Sequence, residues 1–510
     1  MKRILKMLLS RLAIVMLIII LQIIAYIFLW AYLSEAYLYI HTFFSFLSVI
    51  IFLLVINKQE PSSYKLPWIV ILLLMPFYGV ILYSLFGRVP INKRYIKKYQ
   101  GIYEESIEYQ KENIELKERL ISHNVLASSQ SSYIYNTTKL PLYKNSKVTY
   151  FPIGESFFDS LLSKIKNAKK FIFLEYFIIE KGYMWDTILD VLKQKVSEGV
   201  EVYLIYDDIG CINKLPYQYN NLINSYGIKC IVFNPFKPII SAIHNNRDHR
   251  KIAVIDGKYG YTGGANIADE YINKVSIYGK WKDNSILIEG EAVRSLMIMF
   301  MQTYNAHAKV KLEYKKFMDE VVPIESDGVI QPFGTGPKPF FNDRVGETVY
   351  LNMINQAKRY VYIFTPYLIT DYNFREAIKN ACKRGVDIRI LTPHIPDKKI
   401  IYFMTKSNYS DLIEAGVKIY EYEPGFIHSK TLVCDDEIAV VGTINLDYRS
   451  FVHHFECGVW MYKASCINEI KNDFINTCSN EGLEITRENA KLKSYQKLLK
   501  NLLEIFAPLL

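Results

Sequence analysis

The stretch His249-Arg-Lys-Ile-Ala-Val-Ile-Asp-Gly257 returns in outline as His428-Ser-Lys-Thr-Leu-Val-Cys-Asp-Asp436, so the pattern His-x-Lys-x-x-x-x-Asp stands twice in one chain. With nine histidines, chance would supply on the order of 0.05 matches to so short a pattern, and two matches are therefore informative. His307-Ala-Lys309 is an internal comparison: it has the His-x-Lys half but Tyr314 where Asp belongs, and it reads as a chance surface pair. The surroundings repeat as well. Gly263 and Asn266 follow His249 by 14 and 17 residues, and Gly442 and Asn445 follow His428 by the same 14 and 17.

Further out, Ile165-Lys-Asn-Ala-Lys-Lys-Phe-Ile-Phe-Leu174 reappears as Ile354-Asn-Gln-Ala-Lys-Arg-Tyr-Val-Tyr-Ile363, a helix end running into a continuous apolar strand. Lys195-Val-Ser-Glu-Gly-Val-Glu-Val-Tyr-Leu-Ile205 is echoed by Cys382-Lys-Arg-Gly-Val-Asp-Ile-Arg-Ile-Leu391: helix, terminating Gly (Gly199, Gly385), strand. Strand, helix, strand with buried-looking strands predicts an α/β architecture. A period of roughly 180 to 190 residues is far too long for a solenoid, so each copy is read as half of a duplicated catalytic unit. The halves are placed at residues 146–310 and 341–485. Residues 311–340, with Pro323, Gly334, Gly336 and Pro337, are read as the connection.

The motif suggests its own chemistry. His and Lys two apart on a strand share a face, so each copy presents an imidazole and an ammonium together. Asp256 and Asp435 have the opposite parity beside turn-forming Gly257 and Asp436, which favours a supporting role within the catalytic motif over phosphate contact. One imidazole can attack phosphorus while the other protonates the leaving oxygen and later deprotonates the acceptor. Lys251, Lys430, Asn266 and Asn445 supply charge and hydrogen bonds to the developing anion. Asp283 and Glu456, 34 and 28 residues beyond the histidines, are candidates to orient an imidazole through its far nitrogen, with a structural salt bridge as the alternative. This chemistry needs no metal and no cofactor.

The remaining chain places this unit at a membrane. Three apolar runs, roughly Leu12 to Ala31, Tyr37 to Ile56 and Leu66 to Phe86, each approach the ~20 residues of a spanning helix. They make residues 1–88 a transmembrane segment, retained rather than cleaved as a signal peptide. Residues 89–145 read as a short charged helix followed by a polar linker at Ala127-Ser-Ser-Gln-Ser-Ser132. At 486–510, Leu492, Tyr495, Leu499, Leu502, Leu503 and Phe506 recur at helical spacing and predict an amphipathic helix, covering the core or lying in the membrane interface. The formal charge is +10, with Arg88, Lys93, Arg94, Lys97 and Lys98 following the third run, which suits an anionic membrane surface or anionic substrate. Seven cysteines without a CxxC pair suggest neither a zinc site nor a disulfide framework. Basic residues on the two sides of the spans are balanced, so charge does not fix the orientation.

At these residues the sequence resembles the phospholipase D superfamily, and within it the bacterial cardiolipin synthases. The resemblance runs through Leu85-Phe-Gly-Arg88, Gly263-Gly-Ala-Asn-Ile267, Trp281-Lys-Asp283, Thr365-Pro-Tyr367, Gly442-Thr-Ile-Asn-Leu-Asp-Tyr-Arg-Ser450 and Phe506-Ala-Pro-Leu-Leu510. It departs from the family pattern at His453-His454, where many relatives have Leu-Asn. The resemblance implies duplicated phospholipase D-like domains forming one pseudo-symmetric site. It also implies transfer of a phosphatidyl group from one phosphatidylglycerol to another with release of glycerol, with His249 as nucleophile and His428 as general acid and base. The expected setting is the cell membrane, multi-pass, with the catalytic part cytoplasmic; the expected partners are phosphatidylglycerol and anionic lipid, not nucleic acid. A hydrolase passing the phosphatidyl group to water, or a transferase using another alcohol, is the alternative.

Overall fold

Phe171–Tyr176 is buried at all six positions, as a strand covered on both faces must be. It is the second strand of a sheet built from β1 (Ser146–Phe151), β2 (Phe171–Tyr176), β3 (Glu201–Asp207), β4 (Lys229–Phe233), β5 (Lys251–Ile255), β6 (Tyr259–Gly263) and β7 (Ser285–Gly290). The computed structural model describes residues 24, 27, 28, 37–87, 93–236, 245–318 and 321–509. Within them a second sheet is built from β8 (Val329–Thr335), β9 (Tyr360–Phe364), β10 (Asp387–Pro393), β11 (Lys418–Tyr422), β12 (Thr431–Cys434), β13 (Ile438–Gly442) and β14 (His454–Tyr462), with β15 (Gly482–Glu484) added at one edge. The orders are β1-β7-β6-β5-β2-β3-β4 and β8-β14-β13-β12-β9-β10-β11-β15, so the second sheet repeats the first strand for strand. Each sheet is mixed: β2 lies parallel to β3 and antiparallel to β5, and β9 lies parallel to β10 and antiparallel to β12.

The sheets face one another across a shared core. Phe171 and Phe173 enter the same apolar cluster as Tyr360, Tyr362 and Phe364, while Ile172 and Leu174, like Val361 and Ile363, point into separate outer clusters. The helix Val293–His307 belongs to the shared cluster and is buried all round from Leu296 to Met301, as its lack of a polar face requires. The crossover helices Tyr183–Ser197 and Tyr372–Lys383 end as the sequence predicts. Gly199 (φ 87°) and Gly385 (φ 89°) take the left-handed conformation, and the following amides bond back to Lys195 O (3.0 Å) and Ala381 O (3.1 Å).

Two segments and one side chain differ from the sequence reading. The segment 311–340 is not merely a connection: it contains a short helix, Tyr314–Met318, and β8, which pairs with β14 along its whole length. Pro332 disguises β8, but an edge strand tolerates it. The polar stretch Ala127 to Ser132 is helix, within Val125–Thr138, and largely buried. Its small side chains allow close packing, and Gln130 accepts a 2.8 Å hydrogen bond from Asn352. His307 is not a surface pair with Lys309; its ring is bonded to Thr303 O and Tyr95 OH.

The described residues among 1–92, 234–246 and 495–510 form a compact unit of their own. In it, α1 (Tyr37–Ile56) coincides with the second apolar run and is the one helix among the described residues long and apolar enough to cross a membrane. The third run is two helices, α2 (Ser62–Leu74) and α3 (Pro76–Phe86). Pro76 lacks an amide proton and holds Met75 out of the helical region (φ −138°, ψ 69°), which breaks the run. At 1.5 Å per residue the pieces reach only about 20 and 17 Å, short of the ~30 Å hydrocarbon layer. Val55, Trp68, Leu72, Val80 and Tyr83 pack the three helices together. A Cβ at Gly79 would stand 2.8 Å from Leu72 Cα, so that crossing requires glycine. Most of the first apolar run, Leu12 to Ala31, lies outside the described residues.

Candidate active site

His249 stands just ahead of β5, and its position is fixed from the other repeat. The short strand Arg247–Asp248 pairs in parallel with His454 and Phe455 of β14, and His249 N donates to Phe455 O at 2.9 Å. His428 is held in the mirrored way. Gly425–Ile427 pairs in parallel with Lys280–Lys282, and His428 N donates to Lys282 O at 2.7 Å.

The orienting carboxylates are exchanged likewise. His249 Nδ1 lies 2.8 Å from Oε2 of Glu456, and His428 Nδ1 lies 2.7 Å from Oδ2 of Asp283. The sequence offsets within each copy, 34 and 28, are thus not the relevant spacings, because each carboxylate serves the histidine of the opposite copy. A carboxylate accepts, so Nδ1 of each neutral ring carries the proton and Nε2 keeps its lone pair. Both carboxylates are fully buried. Burial pushes Asp283 up, but His428 and Lys430 outweigh it and hold the group below its ordinary value.

Lys251 and Lys430, each 1% exposed, donate from Nζ to the backbone carbonyls of His249 and His428. Burial lowers Lys251 to about 8 and Lys430 to about 7, with Asp283 and Glu456 opposing it in both. Burial and then the charge of Lys430 lower His428 to about 4; burial, Lys251 and Lys430 hold His249 well below the ordinary imidazole value. The two lysines act on each other and on both imidazoles across the two repeats. An anion is the one partner that would relieve all of them.

Asp256 and Asp435, the motif's acidic residues, lie apart from this cluster in a supporting position. Each stands at the far end of its strand, seven positions and roughly 20 Å from the motif histidine. Asp256 accepts from the amides of Lys169, Lys170 and Phe171 at 2.8 to 3.0 Å; Asp435 accepts from Lys358, Arg359 and Tyr360 at 2.7 to 3.0 Å. Both have positive φ, 53° and 57°. They clamp the entry of β2 and β9. Asn266 accepts from Ile178 N at 3.0 Å and donates to Tyr271 OH at 2.7 Å, beside His428, whose ring centre is 5.6 Å from that of Tyr271. Asn445 is 4% exposed, and its amide oxygen has no hydrogen-bond partner among the described residues.

Several contributors carry no motif of their own. Glu456 also accepts from Thr443 Oγ1 (2.5 Å) and Ser450 Oγ (2.8 Å), and His454 Nδ1 lies 3.4 Å from its Oε1. His454, the departure noted in the sequence, sets its ring tilted against that of His249, centres 5.3 Å apart, and receives Arg449 Nε at 3.4 Å on Nε2. Burial, followed by the charge of Arg449, holds its imidazole down at about 3. Gly264 lets the repeats meet: a Cβ there would be 2.0 Å from Asp283 Oδ1 and 2.9 Å from His428 O. Arg250, the variable position of the first motif, is buried between Asp248 (3.0 Å) and Glu175 (3.1 Å), where the second copy has Ser429 and Phe364. Burial outweighs Arg250 and raises Glu175 well above the carboxylate range.

His249, His454 and Glu456 place ligand-type atoms within 4.8 Å of one another. The Nδ1 of His249 and the carboxylate are already joined by a hydrogen bond, so a cation there would have to displace the proton that sets the tautomer.

The family described as "Cardiolipin synthase, PLD-like domain" matches residues 161–293 and 350–478, two segments that carry His249 with Asp283 and His428 with Glu456. A cardiolipin synthase of Geobacillus thermodenitrificans is 34% identical over 432 residues, 84% of either chain. The chain belongs to the cardiolipin synthase family. The family described as "Phospholipase_D-nuclease N-terminal" matches residues 46–88, over most of α1 to α3. An uncharacterized protein of Streptococcus mutans is 40% identical over 464 residues, covering 90% of this chain and 99% of that one. Among solved structures, the phosphatidylserine synthase of Haemophilus influenzae superposes with a TM-score of 0.56 over 74% of this chain and 97% of its own, at 16% identity. That likeness concerns the fold: like this member of the cardiolipin synthase family, it is a mixed α/β structure.

Proposed function

We propose that this chain makes cardiolipin, moving a phosphatidyl group from one phosphatidylglycerol to the terminal hydroxyl of another and releasing glycerol. The observation that carries the reading is the exchange of carboxylates, which orients two imidazoles in one site with their Nε2 atoms available. In the first step His249 Nε2 forms a bond to phosphorus, the bond from phosphorus to the glycerol oxygen breaks, and His428 Nε2 delivers a proton to that oxygen. In the second, His428 takes the proton of the incoming hydroxyl, its oxygen bonds to phosphorus, and the bond to His249 breaks. His428 must be protonated to begin, a state disfavoured in the empty site and favoured once a phosphodiester anion sits beside it.

Lys251, Lys430 and the side-chain amides of Asn266 and Asn445 hold the nonbridging oxygens, and the anion restores full charge to the two lysines. Glu456 and Asp283 fix the rings, and Thr443 and Ser450 fix Glu456.

The enzyme acts at the cell membrane. α1 is a span, and α2 and α3 enter the bilayer without each crossing it. The catalytic part lies on the cytoplasmic side, a placement supported by seven unpaired thiols, six of them buried. The test is product analysis with phosphatidylglycerol vesicles. Cardiolipin and glycerol should form in equal amounts, and excess glycerol should suppress cardiolipin by reversing the reaction. Phosphatidic acid as the main product would make the enzyme a hydrolase.

A further inference from the structure

The C-terminal helix Ser494–Phe506 leaves much of its apolar side exposed. Tyr495, Leu498, Leu499 and Leu502 lie on one side of it at helical spacing and are 66%, 73%, 42% and 56% exposed, and no residue of the helix is buried. On the opposite side Gln496, Lys500 and Glu504, spaced four apart, are half-buried, as are Leu503, Ile505 and Phe506 towards the end of the helix. A helix that covers a core shows the reverse arrangement. Of the two expectations from the sequence, this exposure favours the membrane interface.

The surroundings point to what covers that face. The helix continues into the turn Ala507–Leu509, which packs against α2, a helix whose Leu66, Leu73 and Leu74 are themselves 45%, 57% and 77% exposed. Lys493 and Lys497 are exposed near the start of the C-terminal helix. Exposed apolar side chains on one side with lysines on the polar side suit the zone between anionic headgroups and acyl chains.

We propose that Ser494–Phe506 is an interfacial helix, lying in the surface of an anionic bilayer with Tyr495, Leu498, Leu499 and Leu502 among the upper acyl carbons. It fastens the end of the catalytic chain at the depth where its lipid substrate is presented. The proposal rests on the membrane reading above.

The test uses the full chain in vesicles containing phosphatidylglycerol. An environment-sensitive fluorophore is attached through Leu502→Cys, Lys497→Cys or, in α1, Leu53→Cys, with the unsubstituted chain as the labelling blank. Lipids brominated near the carbonyl end of the acyl chains should quench the label at 502 by about half or more, because an interfacial helix buries its apolar face by ~5–10 Å. The label at 497 should stay close to its emission in unbrominated vesicles. Equal emission from 502 and 497, both unquenched, overturns the proposal. The label at 53, read with deeper quenchers, shows whether the membrane reading fails with it or stands alone.

Discussion

His249 Nδ1 and Glu456 Oε2 are 2.8 Å apart although 207 positions separate the residues in sequence. Together with the matching pair His428 and Asp283, at 2.7 Å, this makes each repeat dependent on the other for an oriented imidazole. Neither half can hold a working histidine alone.

Glu456→Gln should therefore behave as a lesion of His249, and Asp283→Asn as a lesion of His428. Each should lower kcat on the order of 10²- to 10⁴-fold, the range for losing an oriented general base or its tautomer. They should differ in rapid quench. Glu456→Gln loses formation of the covalent intermediate, whereas Asp283→Asn forms it slowly when the leaving group needs no proton.

Asp256→Ala and Asp435→Ala should act on stability. Each leaves three backbone amides without their carboxylate acceptor, which costs about 2–3 kcal/mol. Thermal unfolding should fall by several degrees, while kcat per folded molecule stays within a few-fold of the parent. A large loss of kcat without a loss of stability would return these residues to the chemistry.

Gly264→Ala should inactivate the enzyme without unfolding it. The added methyl would lie 2.0 Å from Asp283 Oδ1, and the carboxylate that orients His428 must move. Circular dichroism should be unchanged and turnover reduced at least as far as in Asp283→Asn.

Anion affinity should fall as pH rises through 7 to 9. Lys430 and Lys251 titrate at about 7 and about 8 in the empty site and are charged beside a bound anion, so binding takes up protons wherever the empty site has lost them. Below about 6 both lysines are already largely charged and contribute little slope. Sulfate, which keeps its charge throughout this range, is the suitable probe, and calorimetry in buffers of different ionisation enthalpy reads the proton uptake. Affinity independent of pH from 7 to 9 would contradict the lysine assignment.

Much of this was legible before any coordinates. The duplicated motif, the shared glycine and asparagine offsets and the apolar strands Phe171–Tyr176 and Tyr360–Phe364 were enough for two α/β repeats, because strand burial on both faces leaves an uninterrupted apolar run. The partnership of Glu456 with His249 was hidden, since pairing between repeats leaves no constant offset along the chain. The break at Pro76 was legible in principle, but hydropathy summed over Leu66 to Phe86 averages across it. β8 was missed because Pro332 and flanking glycines mark a loop unless an edge position is considered, and Ser128 to Ser132 because small polar residues that pack closely look like linker in composition alone.

The most direct measurement of the central claim is the location of the covalent intermediate. Phosphatidylglycerol labelled at phosphorus is mixed with enzyme, quenched in alkali, where a phosphorus–nitrogen bond to imidazole survives, and the labelled peptide is sequenced. The account predicts label on His249, absent in His249→Asn and retained at reduced rate in His428→Asn, with neither variant turning over. Label on His428 would exchange the two roles; full turnover by either single variant would contradict a site shared between the repeats.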